Sequence, residues 1–141
     1  AKLKAAVEAH ADAIVAAVAA LPGHLPVLAI SGTELELAAR AIGHPVFSEV
    51  FADRAYLPNG RLVPRSQPGA MIEDTAAAVA RLIGFVQTGL MPVLDGPPIA
   101  LAADSICVHG DNPHAVLMAR KVRQGLIGAG VTLRAFTEPQ G

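Results

Sequence analysis

Glu49, Asp53 and Arg54 lie within one short run, and Arg65-Ser66 and His109-Gly110-Asp111 follow further along the chain. Two carboxylates four residues apart can do acid/base work or hold a cation. An arginine beside them can clamp a carboxylate or a phosphate. The same spacing also suits an ion-pair network that only orders a loop. His109 follows an apolar run, Ser105 to Val108, and precedes a helical pattern. A histidine there can act as acid, base or ligand near neutral pH, and Gly110 lets backbone approach a ligand. The plainer alternative makes Asp111 a capping residue and His109 a partner of a main-chain carbonyl. Arg65 and Ser66 either bind an anion or stand as exposed loop residues.

The elements that must position these groups alternate between two hydrophobic periods. Residues 1 to 20 read as a helix whose inward stripe is Leu3, Val7, Ile14, Val18 and Leu21. Pro26 to Ile30 reads as a strand buried on both faces. Thr33 is a candidate N-cap for a second helix, with Glu34 and Glu36 in its first turn and Leu35, Ala39 and Ile42 facing inward. Val46, Phe47, Val50 and Phe51 mark a strand. It feeds a long loop whose Pro58-Asn59-Gly60 reads as a tight turn. A third helix is expected from about Met71 to Gln87. Met91 to Leu101 then reads as a hairpin turning at Asp95-Gly96. Ser105 to Val108 is expected as a buried strand. Asn112 and Pro113 open a fourth helix that buries Ala115, Met118, Ala119, Val122 and Leu126. Val131 to Ala135 is expected as a last strand. Strands alternating with helices imply an α/β fold with about four parallel strands and crossover helices.

Composition narrows the function classes. The chain has 141 residues, 52% hydrophobic and 16% charged, so it can bury a core as a single domain over residues 1–141. A net charge of −1 and the absence of tryptophan argue against a nucleic-acid surface. Cys107 is the only cysteine, so no internal disulfide forms, and a reducing, cytoplasmic setting fits. It reads as an inert core thiol. No uncharged apolar run is long enough to span a membrane. His10, His24, His44 and His114 read as surface or capping residues.

Three segments carry more than spacing: EVFADRAY from Glu49, NGRLVPRSQPGA from Asn59 and SICVHGDNPHAV from Ser105. In this order and separation they resemble the LamB/YcsF family. That resemblance implies a partial (β/α) barrel of the glycoside hydrolase/deacetylase type, with this chain as the C-terminal portion of a larger barrel. The family's DxNE-, CGFHAGD- and KPHG-type segments, carried in its N-terminal half, do not occur here. An open side on the sheet is therefore expected.

The resemblance also implies an activity: ATP-dependent hydrolysis of 5-oxo-L-proline (pyroglutamate) to L-glutamate. ATP would be the co-substrate with Mg2+, and subunits B and C of the 5-oxoprolinase the partners. Under it, Glu49, Asp53, His109 and Asp111 are the acid/base or metal-orienting groups. Arg54, Arg65, Ser66 and Gly110 bind substrate or ATP. Two other readings stand beside it: a metal-dependent carbohydrate or amide hydrolase, and a non-catalytic scaffold for partner subunits. Homo-oligomerisation and a bound metal stay open.

Overall fold

The computed structural model describes residues 2–110, 114–135 and 137. The elements are α1 (Lys2–Ala19), β1 (Val27–Ile30), α2 (Glu34–Ala41), β2 (Val46–Phe51), α3 (Thr75–Thr88), β3 (Leu90–Met91), β4 (Ile99–Ala100), β5 (Ser105–Cys107) and α4 (Ala115–Gly128). One sheet has the order β1-β2-β5, and β3 pairs antiparallel with β4. β1 and β2 run parallel, from Val27 opposite Val46 to Ile30 opposite Glu49, with α2 as their crossover. This is the α/β class that the alternating periods predict. The chain divides into two compact units, residues 1–50 with 103–105, and residues 51–102 with 106–141.

In the first unit, α1 packs on α2. The buried face of α1 is Ala11 and Val15, not the expected stripe. Leu3 is 77% exposed and Ile14 51%, and Val7 and Leu21 are also exposed. Small side chains explain the choice of face, because they let two helices approach closely. Ile42 is exposed rather than inward, and Leu28 leaves β1 buried on one face only. His44 is buried, with Nε2 donating to the Leu25 carbonyl at 2.9 Å, so it is a tether rather than a surface group.

A buried carboxylate ties α2 to β2. Thr33 occupies the N-cap position but makes no capping bond; its hydroxyl donates to the Ile30 carbonyl. Glu36 instead reaches back to the residue ahead of the cap, its Oε2 accepting from the Gly32 N–H at 2.6 Å. Oε1 accepts from Ser48 Oγ at 2.6 Å and from Arg40 at 2.7 and 3.0 Å. The Ser48 main chain in turn bonds Asp104, its N–H donating to Oδ2 and its carbonyl accepting from the Asp104 N–H, both at 2.8 Å.

The core of the second unit gathers Ala52, Ala78, Leu82, Met118, Val122 and Leu126. Here α3 and α4 pack face to face. α3 starts at Thr75, four residues later than expected, because Asp74 caps it by accepting from the N–H groups of Ala76 and Ala77. Met71 stays extended and bridges Arg54. Ala119 faces solvent, and β5 is half-buried. No strand forms over 131–135: Val131 packs on the core, while residues 132–135 are exposed and make no ladder among the described residues. The expected cap and first residue of α4, Asn112 and Pro113, lie outside the described residues.

Two measurements check this packing. Burial by itself raises the Glu36 pKa. Hydrogen bonds from Ser48, the Gly32 N–H and Arg40, with the Arg40 charge, outweigh it and leave the group below the ordinary 4.5. A carboxyl depressed by folding contributes stability above its unfolded value and loses it as pH falls through the folded value. Resistance of the chain to urea unfolding is therefore expected to fall below pH 4.5, and Glu36→Gln should flatten that limb. In the second unit, a Cβ on Gly125 would overlap the Val79 side chain on α3. Gly125→Ala is expected to cost about 1–3 kcal/mol despite alanine's better helix propensity. Gly128→Ala, with open space around it, serves as the control.

Candidate functional site

The site grows from the exit of β2. Phe51 ends the strand and Ala52 follows it, and their main-chain groups are tied in place by other residues of the second unit. The Phe51 N–H donates to the Tyr56 hydroxyl at 3.0 Å, and the Ala52 N–H to the Cys107 carbonyl at 2.9 Å. Tyr56 is fully buried. The loop beyond is zipped onto itself. Ile72 donates to the Asp53 carbonyl, Ala55 to Ala70, and Val63 to Ala55, each at 2.9 Å. The Asn59-Gly60 turn closes as the sequence predicts, with Gly60 at φ 80° and its N–H on the Leu57 carbonyl.

Asp53 and His109 meet there. His109 Nδ1 lies 2.9 and 3.0 Å from the two carboxylate oxygens of Asp53, and the His109 N–H points at Oδ2 at 3.4 Å. The Asp53 side chain is only 4% exposed and that of His109 22%. An ionised carboxylate only accepts, so Nδ1 carries the proton. Nε2 is then the nitrogen left to accept or donate elsewhere, and it has no hydrogen-bond partner among the described residues. Phe51 stacks on the imidazole, ring centroids 5.2 Å apart and planes at 14°. The ring is thus held on one face and at one nitrogen. This arrangement fits a general acid or base oriented by a carboxylate.

The other candidate residues sit differently. Arg54 is buried, and its Nη2 donates to the Val63 carbonyl at 2.7 Å while Nε has no partner. It fastens the loop from inside. Arg65 and Ser66 are exposed on that loop, and Gly110 is exposed after His109. Glu49 lies inside β2 in the first unit, half-buried, with its carbonyl accepting from the Ser31 N–H. Asp111 lies outside the described residues. Among the described residues no group of three or more His, Cys, Asp or Glu side chains converges to hold a metal.

Sequence reasoning missed Arg81. It sits on α3 within an ordinary helical pattern, where no motif marks it. Its Nη2 donates to the Phe51 carbonyl at 2.5 Å and to the Ala52 carbonyl at 3.2 Å. Its guanidinium lies 5.8 Å from the centre of the Tyr56 ring. Burial pushes its pKa below the usual arginine range, with Tyr56 and Asp53 opposing the shift.

Residues 2–141 match the LamB/YcsF family. The chain belongs to that family. A curated relative, the 5-oxoprolinase A subunit of Gluconobacter oxydans (strain 621H), is 47% identical over 129 residues, which is 92% of this chain and 51% of the relative. The protein of the same name from Nocardia farcinica (strain IFM 10152) is 48% identical over 126 residues, 89% of this chain and 50% of its own length. The crystal structure of the lactam utilization protein from Thermus thermophilus superposes with a TM-score of 0.81 at 42% identity. It covers 91% of this chain and 51% of that one. The chain thus spans about half the length of the curated relatives it matches. The parallel sheet with crossover helices agrees with the LamB/YcsF barrel expected from the three motifs. Among the described residues no helix is long and apolar enough to cross a membrane.

Tyr56→Phe tests the tether beneath this site. Removing the hydroxyl leaves the buried Phe51 N–H without its acceptor. The expected cost is about 1–3 kcal/mol of unfolding free energy, read by chemical denaturation.

Proposed function

We propose that this chain is part of the A subunit of a 5-oxoprolinase, acting with subunits B and C to hydrolyse 5-oxo-L-proline to L-glutamate with ATP as co-substrate. The observation that carries the reading is the Asp53–His109 pair, with Nδ1 fixed on the carboxylate and Nε2 available for proton transfer. The family match and the names of the relatives support the choice of substrate class.

A lactam amide is a poor electrophile, and ATP supplies activation of its carbonyl oxygen. The chain's own residues handle the proton. His109 Nε2 accepts a proton from water as the water oxygen bonds to the carbonyl carbon. The resulting imidazolium is stabilised by the Asp53 carboxylate on Nδ1. As the carbon–nitrogen bond breaks, Nε2 returns the proton to the departing ring nitrogen, which becomes the amino group. The γ-phosphoryl group, which would pass from ATP to the carbonyl oxygen with ADP leaving, then remains as an acyl phosphate. A second water releases it as inorganic phosphate to give glutamate. The stacked Phe51 holds the imidazole plane through both steps. Arg65 and Ser66, exposed on the loop, offer contacts to the substrate carboxylate or to phosphate. Gly110 and Asp111 complete the proposed set, and Arg54 acts by holding the loop.

The test is reconstitution. A protein carrying this chain, mixed with subunits B and C, 5-oxoproline and ATP, is expected to release glutamate. His109→Ala and Asp53→Asn should each lower turnover by about 10²- to 10⁴-fold. No glutamate from the complete wild-type mixture would end the reading.

A further inference from the structure

Four main-chain groups lie just ahead of Asp53, and each has a partner. The two N–H groups go to Tyr56 and Cys107, and both carbonyls go to one donor, Nη2 of Arg81. Arg81 also approaches the ring of Tyr56, which itself holds the Phe51 N–H. It therefore links both carbonyls to the ring whose hydroxyl holds the Phe51 N–H, at the strand exit from which Asp53 extends.

The cation is held there at a cost. Its Nε and Nη1 are buried and have no hydrogen-bond partner. An unpaired buried donor is unfavourable, and more so on a charged group. If the position only filled space, an apolar side chain would avoid that penalty. What an apolar side chain cannot do is satisfy two successive carbonyls while presenting a positive charge toward Asp53.

We infer that Arg81 is a positioning residue. By clamping the carbonyls of Phe51 and Ala52, it fixes the angle at which Asp53 leaves β2, and through Asp53 it sets the tautomer and orientation of His109. This rests on the Asp53–His109 pair being the working pair of the proposed site. The readout below needs no substrate, so failure of the 5-oxoproline reading and failure of this inference are separable.

The experiment is nitrogen-15 NMR of the chain labelled at histidine, in the wild type, Arg81→Lys and Arg81→Met. Wild-type His109 should show a protonated Nδ1 whose proton exchanges slowly, since Asp53 is almost fully buried. Lysine keeps the charge but replaces the planar fork with a compact, strongly hydrated ammonium, and exchange of that proton should quicken about tenfold. Arg81→Met should lose the Nδ1–H signal altogether. The internal control is amide exchange in α4, read by mass spectrometry, because α4 packs on α3 in the same unit as His109 and its protection reports that this unit is folded. Faster exchange or loss at His109 with α4 unchanged in either variant supports the inference. An unchanged His109 signal in the folded variants, or one that changes only in step with α4, overturns it. If Arg81→Met does not fold, Arg81→Lys decides alone.

Discussion

The proposed site depends on a single carboxylate-to-imidazole contact. Asp53 and His109 are 56 residues apart in sequence, and each lies just beyond the end of a strand. Bringing them within 3 Å requires the second unit to fold around α3 and α4, and it requires the β2 exit to be rigid. The rigidity has visible sources. Tyr56, Cys107 and Arg81 each take main-chain groups of Phe51 or Ala52, and Ile72 takes the Asp53 carbonyl. A carboxylate this deeply enclosed has little freedom to turn away from its histidine.

The enclosure also gives the two partners different tasks. Asp53 is shut away from solvent, while His109 remains partly open. A buried carboxylate paired to a half-open imidazole is suited to orienting and charge-stabilising, and the imidazole to exchanging protons with what lies outside. The stacked Phe51 adds a steric wall on one face of the imidazole. The first unit is fastened by a different device, a buried Glu36 that fixes α2 to β2.

Much of this was legible in the residues. The alternation of helical and strand periods pointed to the α/β class, and the Asn59-Gly60 and Asp95-Gly96 turns fell where their positive-φ tolerance put them. The placement of Asp53 and His109 after strands also followed from the pattern. What failed depended on tertiary partners. The periodicity of α1 marks a real apolar stripe, but Leu3, Val7, Ile14 and Leu21 are exposed, because burial went to the small-residue face at Ala11 and Val15. The start of α3 was misplaced although Asp74 is a recognisable cap. Val131 to Ala135 has strand-like residues but no ladder partner among the described residues. Arg81 was invisible because its importance lies in two carbonyls about thirty residues away, and no spacing rule reports that.

In the proposed reaction Asp53 and His109 work as one unit. The most direct measurement is a double-mutant cycle on turnover, comparing Asp53→Asn, His109→Gln and the double variant in the reconstituted system. Residues that act together are strongly non-additive. The double variant is expected to be about as slow as His109→Gln alone. Losses that multiply, as for two independent groups, would contradict the account.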